Sequence, residues 1–331
     1  MNLRRMGRTG LKVTELCLGT MTFGNQCDEK TSCAIMDKAA DRGVWFFDTA
    51  DAYPVPPTPE TCGRTEEFIG KWMQGKRDRF VLATKCRIRV GEHPLAEGLS
   101  RKHILKSVED SLRRLRTDYI DLYQPHAPDP DTPLEETLRA LDDLVRQGKV
   151  RYLGISNHAA WQVALALGIS ERHDWARIDC VQPRYNMLFR DIEAELLPLC
   201  RDQGVGVIAY NPLAGGLLSG KYQPGEPPPV GTRFTLGKTG ELYRERYWEK
   251  SQFEAVEHLK QFFKARKKSL VSVAVAWVLA QPCITSAIIG ASKPEQLEDS
   301  LAAVDLKLDA EELEVCNLAW FSLPRPVKPP R

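Results

Sequence analysis

Apolar residues along this chain alternate between short unbroken runs and stripes spaced three or four apart, the signatures of buried strands and of helices with one covered face. Leu11, Val13, Leu16 and Leu18 lead up to Gly19-Thr20, and Gly7 and Gly10 ahead of them predict a small hairpin opening into a first strand. Ile35, Met36, Ala39 and Ala40 mark a helix over 28–41, closed by Gly43. The run 44–47 then stops at Asp48. Phe68, Ile69, Trp72 and Met73 give a second helix ended by Gly75, and the run 80–84 leads into Lys85. Ser100 caps a helix carrying Ile104, Val108, Leu112 and Leu115, and the run 119–125 leads into His126.

The alternation continues. Thr132-Pro133 starts a helix faced by Leu134, Leu138, Leu141, Leu144 and Val145 and ended by Gly148. Further strands are expected at 150–156, 178–182, 205–210 and 286–289, with helices at 159–167, around 192–199, at 271–280 and at 294–303. Eight strands separated by helices argue for parallel βαβ units, in a closed barrel or an open doubly wound sheet. An open dinucleotide-binding sheet carries G-x-G-x-x-G in its first strand-to-helix turn, whereas this turn reads Gly19-Thr20-Met21-Thr22-Phe23-Gly24. The expected fold is therefore an α/β (β/α)8 TIM barrel, one domain over 1–331 with an N-terminal β-hairpin. Two stretches fall outside the repeat. A Pro-, Gly- and charge-rich segment at 222–247 precedes an extra helix at 251–264, and a C-terminal helix after Asp309 ends in a Pro-rich tail at 324–331, expected to be extended and mobile.

Composition narrows the class. At 331 residues, 43% hydrophobic and 27% charged, the chain can bury a large core. A net charge of +2 without a long block of one sign gives no reason to expect nucleic acid. Nine cysteines without C-x-x-C or metal-ligand spacing read as reduced thiols. Neither a leader-like segment nor an apolar run of membrane length stands out. The expectation is a cytoplasmic protein with no metal, nucleic-acid or membrane partner; the sequence is silent on oligomeric state.

Asp48, Lys85 and His126 each close a strand-like run, and Tyr53 hangs from the loop after Asp48. One acid at a strand end reads as well as a helix cap, and one tyrosine as core. Strand ends of this kind converge at the C-terminal mouth of a barrel, where active sites form. A phenol titrates near 10, about three units too high to exchange a proton readily at neutrality. A carboxylate that keeps a lysine protonated, and a lysine that favours phenolate, would tune it. His126 adds a donor able to orient a carbonyl oxygen. The set suits proton delivery to a carbonyl oxygen as negative charge grows there, and the hydride that completes a reduction comes from a nicotinamide.

Motifs extend the pattern: Leu18-Gly19-Thr20-Met21-Thr22-Phe23-Gly24, Phe47-Asp48-Thr49-Ala50 with Tyr53, Ala83-Thr84-Lys85, and Asp121-Leu122-Tyr123-Gln124 with His126. Later come Gly154-Ile155-Ser156-Asn157, Gln182-Pro183-Arg184-Tyr185-Asn186, Tyr210-Asn211-Pro212-Leu213, Gly220-Lys221-Tyr222, and Ile289-Gly290-Ala291-Ser292 with Gln296. In these the chain resembles the aldo-keto reductase family over essentially its whole length, nearer to its bacterial and potassium-channel β-subunit-like branches than to the aldose-reductase branch. The resemblance implies NADPH-dependent, reversible reduction of aldehydes and ketones, with a small-molecule carbonyl substrate. It makes Tyr53 the general acid, Lys85 and Asp48 its tuning pair and His126 the orienter. Ser156, Asn157 and Gln182 would hold the carboxamide, Tyr210 would stack on the nicotinamide, and Leu213, Gly215, Lys221 and Arg233 would cover the pyrophosphate. Ser292 and Gln296 would meet the adenosine phosphate end, with Asp299 and Ser300 against the base; Thr20, Asp48, Asn211, Pro212 and Gly290 complete the implied cofactor set.

Two departures bear on the cofactor. Asp299-Ser300 stands where many members carry Glu-Asn, and Gln296 stands where the aldose-reductase branch places an arginine on the 2′-phosphate. An amide gives up that bidentate charge contact, so the resemblance favours NADPH and leaves NADH open. Two other readings compete with the reductase: a cofactor-sensing regulatory subunit with little turnover, and a Schiff-base aldolase acting through Lys85, which a paired Asp48 would oppose.

Overall fold

The computed structural model describes residues 1–324, so the tail expected at 324–331 lies, from residue 325 on, outside the described residues. β1 (Leu3–Arg5) and β2 (Lys12–Thr14) form an antiparallel hairpin. β3 (Leu16–Gly19), β4 (Phe46–Asp48), β5 (Val81–Cys86), β6 (Ile120–Pro125), β7 (Val150–Ser156), β8 (Ile178–Gln182), β9 (Gly206–Ala209) and β10 (Ile284–Ile289) close a parallel barrel, β10 pairing with both β9 and β3. Helices α1 (Glu29–Asp41), α2 (Arg64–Trp72), α3 (Arg101–Leu115), α4 (Leu134–Arg146), α5 (Ala160–His173) and α6 (Leu196–Gln203) follow successive strands from β3 to β8. After β9 come α7 (Gly237–Tyr247), α8 (Lys250–Ala265) and α9 (Leu270–Leu279). α10 (Leu297–Ala302) and α11 (Ala310–Phe321) follow β10. This is the (β/α)8 barrel that the periodicity predicts.

Alternate strand residues face opposite ways, and two separate apolar clusters record it. Cys17, Phe46, Ala83, Leu122, Cys180, Ile208 and Ile288 fill the barrel interior together with Met6 of the hairpin, which plugs the N-terminal end. Their neighbours Leu16, Leu18, Phe47, Leu82, Tyr123, Val207 and Ile289 belong to the larger cluster under the helices. Counting two residues on from the interior layer reaches Asp48, Lys85, Gln124, Gln182 and Tyr210. The pleat therefore lifts five polar or aromatic side chains to one level at the C-terminal mouth.

Two elements differ from expectation. The stripe at 159–167 runs on to His173, because Gly168 has open space beside it and Ile169 continues the buried face. Two helices, not one, precede α9. Gly237 and Gly240 lower the helical propensity of α7, whose Tyr243 and Tyr247 are buried and anchor it by packing. Among the described residues no helix is long and apolar enough to cross a membrane.

Candidate active site

The mouth is organised around Asp48. Lys85 Nζ donates to Asp48 Oδ2 at 2.6 Å and to the Thr49 carbonyl at 2.7 Å, with both side chains buried. Gln182 Nε2 donates to Asp48 Oδ1 at 2.8 Å. The Thr20 amide and Oγ1 both donate to the Asp48 carbonyl, at 3.1 and 2.9 Å, so Thr20 serves to fix the end of β4. A buried charge pair is tolerable only with this kind of hydrogen-bond saturation.

Tyr53 is 9% exposed, its ring lying edge-on to His126 with centroids 5.8 Å apart. Lys85 Nζ lies 5.3 Å from the Tyr53 ring centroid. The expected lowering of the phenol by Lys85 is not what this geometry produces. Burial pushes the Tyr53 phenol well above its ordinary range, and the Asp48 carboxylate adds to it. His126 is held well below its usual range by burial and by the Lys85 and Arg87 cations, and is neutral at pH 7. Its backbone N–H donates to the Cys86 carbonyl at 2.8 Å, extending the β5–β6 pairing to the site.

The residues expected around the nicotinamide form one network. Asn157 Nδ2 donates to the His126 carbonyl at 2.9 Å and to Ser156 Oγ at 3.0 Å; Ser156 Oγ donates to the Gln182 carbonyl at 2.9 Å. Tyr210 OH donates to Asn157 Oδ1 at 2.8 Å, and burial raises this phenol to about 12. Asn211 has a φ of 64°, and its Oδ1 receives the Gly215 amide at 2.6 Å, forming the turn that also carries Pro212 and Leu213. Asn211 Nδ2 and Asn186 Nδ2 both donate to Tyr247 OH at 3.0 Å, tying the turn to α7.

The segment after this turn crosses the mouth. Arg233 Nη1 sits 2.9 Å from Met21 Sδ, and Gln26 Nε2 donates to the Gly231 carbonyl at 2.7 Å, so residues 231–233 rest on the β3–α1 connection. Lys221 is exposed, 5.0 Å from the Tyr222 ring. Beyond Gly290, Gln296 Oε1 accepts from the Ser292 amide, Ser292 Oγ and the Lys293 amide at 2.8, 3.2 and 3.2 Å. Asp299 Oδ2 accepts from Ser269 Oγ at 2.9 Å, and Ser300 is buried.

Sequence reasoning passed over four mouth features. Gln124 shares the Asp48–Lys85 level, and both its amide atoms are buried without a partner among the described residues. The period of two could have found it. Asp51, on the catalytic loop, is fully buried near Glu66, which accepts from Thr84 Oγ1 at 2.6 Å and Arg114 Nε at 2.7 Å. His158 accepts or donates at the Ser156 carbonyl (2.8 Å), and burial lowers it to about 4. Arg87 follows β5 with a φ of 119°.

A closed parallel barrel thus carries a buried Asp–Lys pair, a buried tyrosine and a neutral histidine together at its C-terminal mouth. Comparison with known proteins carries this to a family: residues 15–320 match the model of the aldo/keto reductase family, and the chain belongs to it. It is 42% identical over 324 residues to an uncharacterized oxidoreductase, YrpG, of Bacillus subtilis, covering 94% of either chain. It is 36% identical over 311 residues to a probable voltage-gated potassium channel subunit beta of Arabidopsis thaliana, covering 92% of either chain. It is also 33% identical over 349 residues to versiconal hemiacetal acetate reductase of Aspergillus parasiticus, covering 95% of either chain.

Proposed function

We propose that the protein is an NADPH-dependent reductase of aldehydes and ketones, with Tyr53 as proton donor. The observation that carries this is the pairing of a phenol kept protonated by burial with a neutral imidazole beside it, above a saturated Asp48–Lys85 pair. The residues present suit a dinucleotide laid across the mouth. Gly215 and Gly216 have φ of 71° and 100°, and a Cβ on Gly215 would come within 2.6 Å of Tyr243, so glycine allows this turn to form against α7. Lys221 and Lys293 have no carboxylate within ion-pair distance among the described residues, which leaves both free for phosphate.

A bound reduced nicotinamide supplies the hydride. Ser156, Asn157 and Gln182 are the residues that would hold its carboxamide, and the Tyr210 ring would back its nicotinamide. The neutral His126 donates an N–H to the carbonyl oxygen, fixing it beside Tyr53 OH. As the oxygen gains negative charge it becomes a stronger base than phenolate, and Tyr53 gives up its proton to it. Lys85, still paired with Asp48, then stabilises the phenolate that remains.

The second reading, a cofactor-sensing subunit with little turnover, draws on the likeness to the plant channel subunit. A substrate panel separates the two. Loss of reduced-nicotinamide absorbance with activated aldehydes such as 4-nitrobenzaldehyde is expected; silence across the panel with the cofactor bound would favour the sensor.

A further inference from the structure

Arg87 combines three features at the edge of the mouth. It lies two residues beyond Lys85 with a φ of 119°, a region that strains any residue with a Cβ. Its Nε is buried without a hydrogen-bond partner among the described residues, although the residue as a whole is only half-buried. No carboxylate lies within ion-pair distance of it among those residues; on the same loop only the exposed Arg89 reaches one, Glu97 at 3.9 Å.

Arg87 favours ionisation of Asp129, and that carboxylate is already engaged. Its Oδ2 accepts from the Leu99 amide at 2.6 Å and Thr132 Oγ1 at 2.8 Å, and its Oδ1 from the Asp131 amide at 3.2 Å. The Arg87 cation also helps to hold His126 below its usual range. The loop is held in place: the Gly98 amide donates to the Arg87 carbonyl at 2.9 Å, and Cys62 Sγ, from the Tyr53 loop, lies 3.7 Å from the Arg89 carbonyl. A half-buried guanidinium with an unsatisfied N–H is unfavourable by itself, and a planar oxyanion satisfies it best.

We propose that Arg87 is a specificity-determining residue that receives the anionic end of the substrate, so that carbonyl compounds bearing a carboxylate are favoured over neutral ones. This rests on the reductase reading. The test compares 4-carboxybenzaldehyde with 4-nitrobenzaldehyde, which have similar shape and differ in charge. In Arg87→Met the ratio of their kcat/KM values should fall about 10- to 100-fold, mostly through KM for the carboxylate, and Arg87→Lys should recover part of the loss. An unchanged ratio overturns the inference while leaving the reductase reading intact. In the unmodified protein at saturating cofactor, benzoate should inhibit 4-nitrobenzaldehyde turnover at least about 10-fold more strongly than benzamide. Equal inhibition overturns it without recourse to a variant. Silence toward both aldehydes removes the reductase reading and the inference with it.

Discussion

On the proposed reading Tyr53 keeps its proton until a carbonyl oxygen becomes basic enough to take it, and burial raises its phenol accordingly. Tyr53→Phe removes that proton while preserving the ring that packs against His126. Turnover should fall by at least ~10²–10⁴-fold with the cofactor dissociation constant unchanged, read by steady-state kinetics and fluorescence quenching. Equal turnover would mean that another group protonates the product. Two residues earlier, Asp51 poses a different problem. Burial raises its carboxyl well above the ordinary range, the nearby Glu66 adds to this, and Arg114 and Lys85 oppose it only in part. Folded Asp51 thus keeps a proton that the unfolded chain releases above about pH 4, so stability is lost as pH rises from there toward the native value. Asp51→Asn abolishes this loss. Its unfolding free energy relative to the parent should improve between about pH 4 and about pH 7, by roughly 1.4 kcal/mol for each pH unit in which only the unfolded carboxyl is ionised. Urea midpoints at the two pH values decide it; the same difference at both would mean that Asp51 is not held neutral.

Among the elements, those that pack by period were legible and those that pack by exception were not. The eight barrel strands stood out because each apolar run stops at a polar residue, and Asp48, Lys85 and His126 could be read as mouth residues from those stops alone. The field acting on Tyr53 could not, since it depends on how deeply the phenol is buried and on how the Asp48 carboxylate bears on it. α7 was illegible because two glycines hide a helix that is held by Tyr243 and Tyr247. Arg87 was illegible because nothing in one sequence marks a positive φ at an arginine. The turn from Asn211 to Gly215 shows what α7 is for. Its φ values of 64° and 71° are held by the Asn211–Gly215 and Asn211–Tyr247 hydrogen bonds, with the Tyr243 ring lying over Gly215. Gly215→Ala adds a Cβ 2.6 Å from that ring in a conformation costly for alanine, so the turn must shift. NADPH and NADH should both bind at least about 10-fold more weakly, by roughly 1.4 kcal/mol or more, while the unfolding midpoint moves little. Unchanged affinity for both would show that the turn does not touch the dinucleotide.

Over the whole molecule the formal charge is nearly balanced at +2, yet the mouth gathers cations. Arg87, Lys221, Arg233 and Lys293 all stand around it, and none has a carboxylate within ion-pair distance among the described residues. On the proposed reading they would line a dinucleotide whose nicotinamide lies at Tyr210 and whose 2′-phosphate lies by Lys293. At that end Gln296 differs from what the bare sequence suggests. Its Oε1 is taken up by Ser292 and Lys293, so it shapes the turn, and on the proposed reading charge recognition falls to the Lys293 ammonium. An arginine at 296 could not accept those three hydrogen bonds, and would gain a charge at the expense of the turn that positions Ser292. Lys293→Ala is the cleaner test. One charge-assisted hydrogen bond contributes roughly 1.5–3 kcal/mol, about ten- to 150-fold in affinity, and only the phosphorylated cofactor can make it. NADPH should therefore bind that much more weakly while NADH is nearly unaffected, and the NADPH loss should shrink as salt screens the exposed ammonium. Equal weakening of both cofactors would place the 2′-phosphate away from this turn.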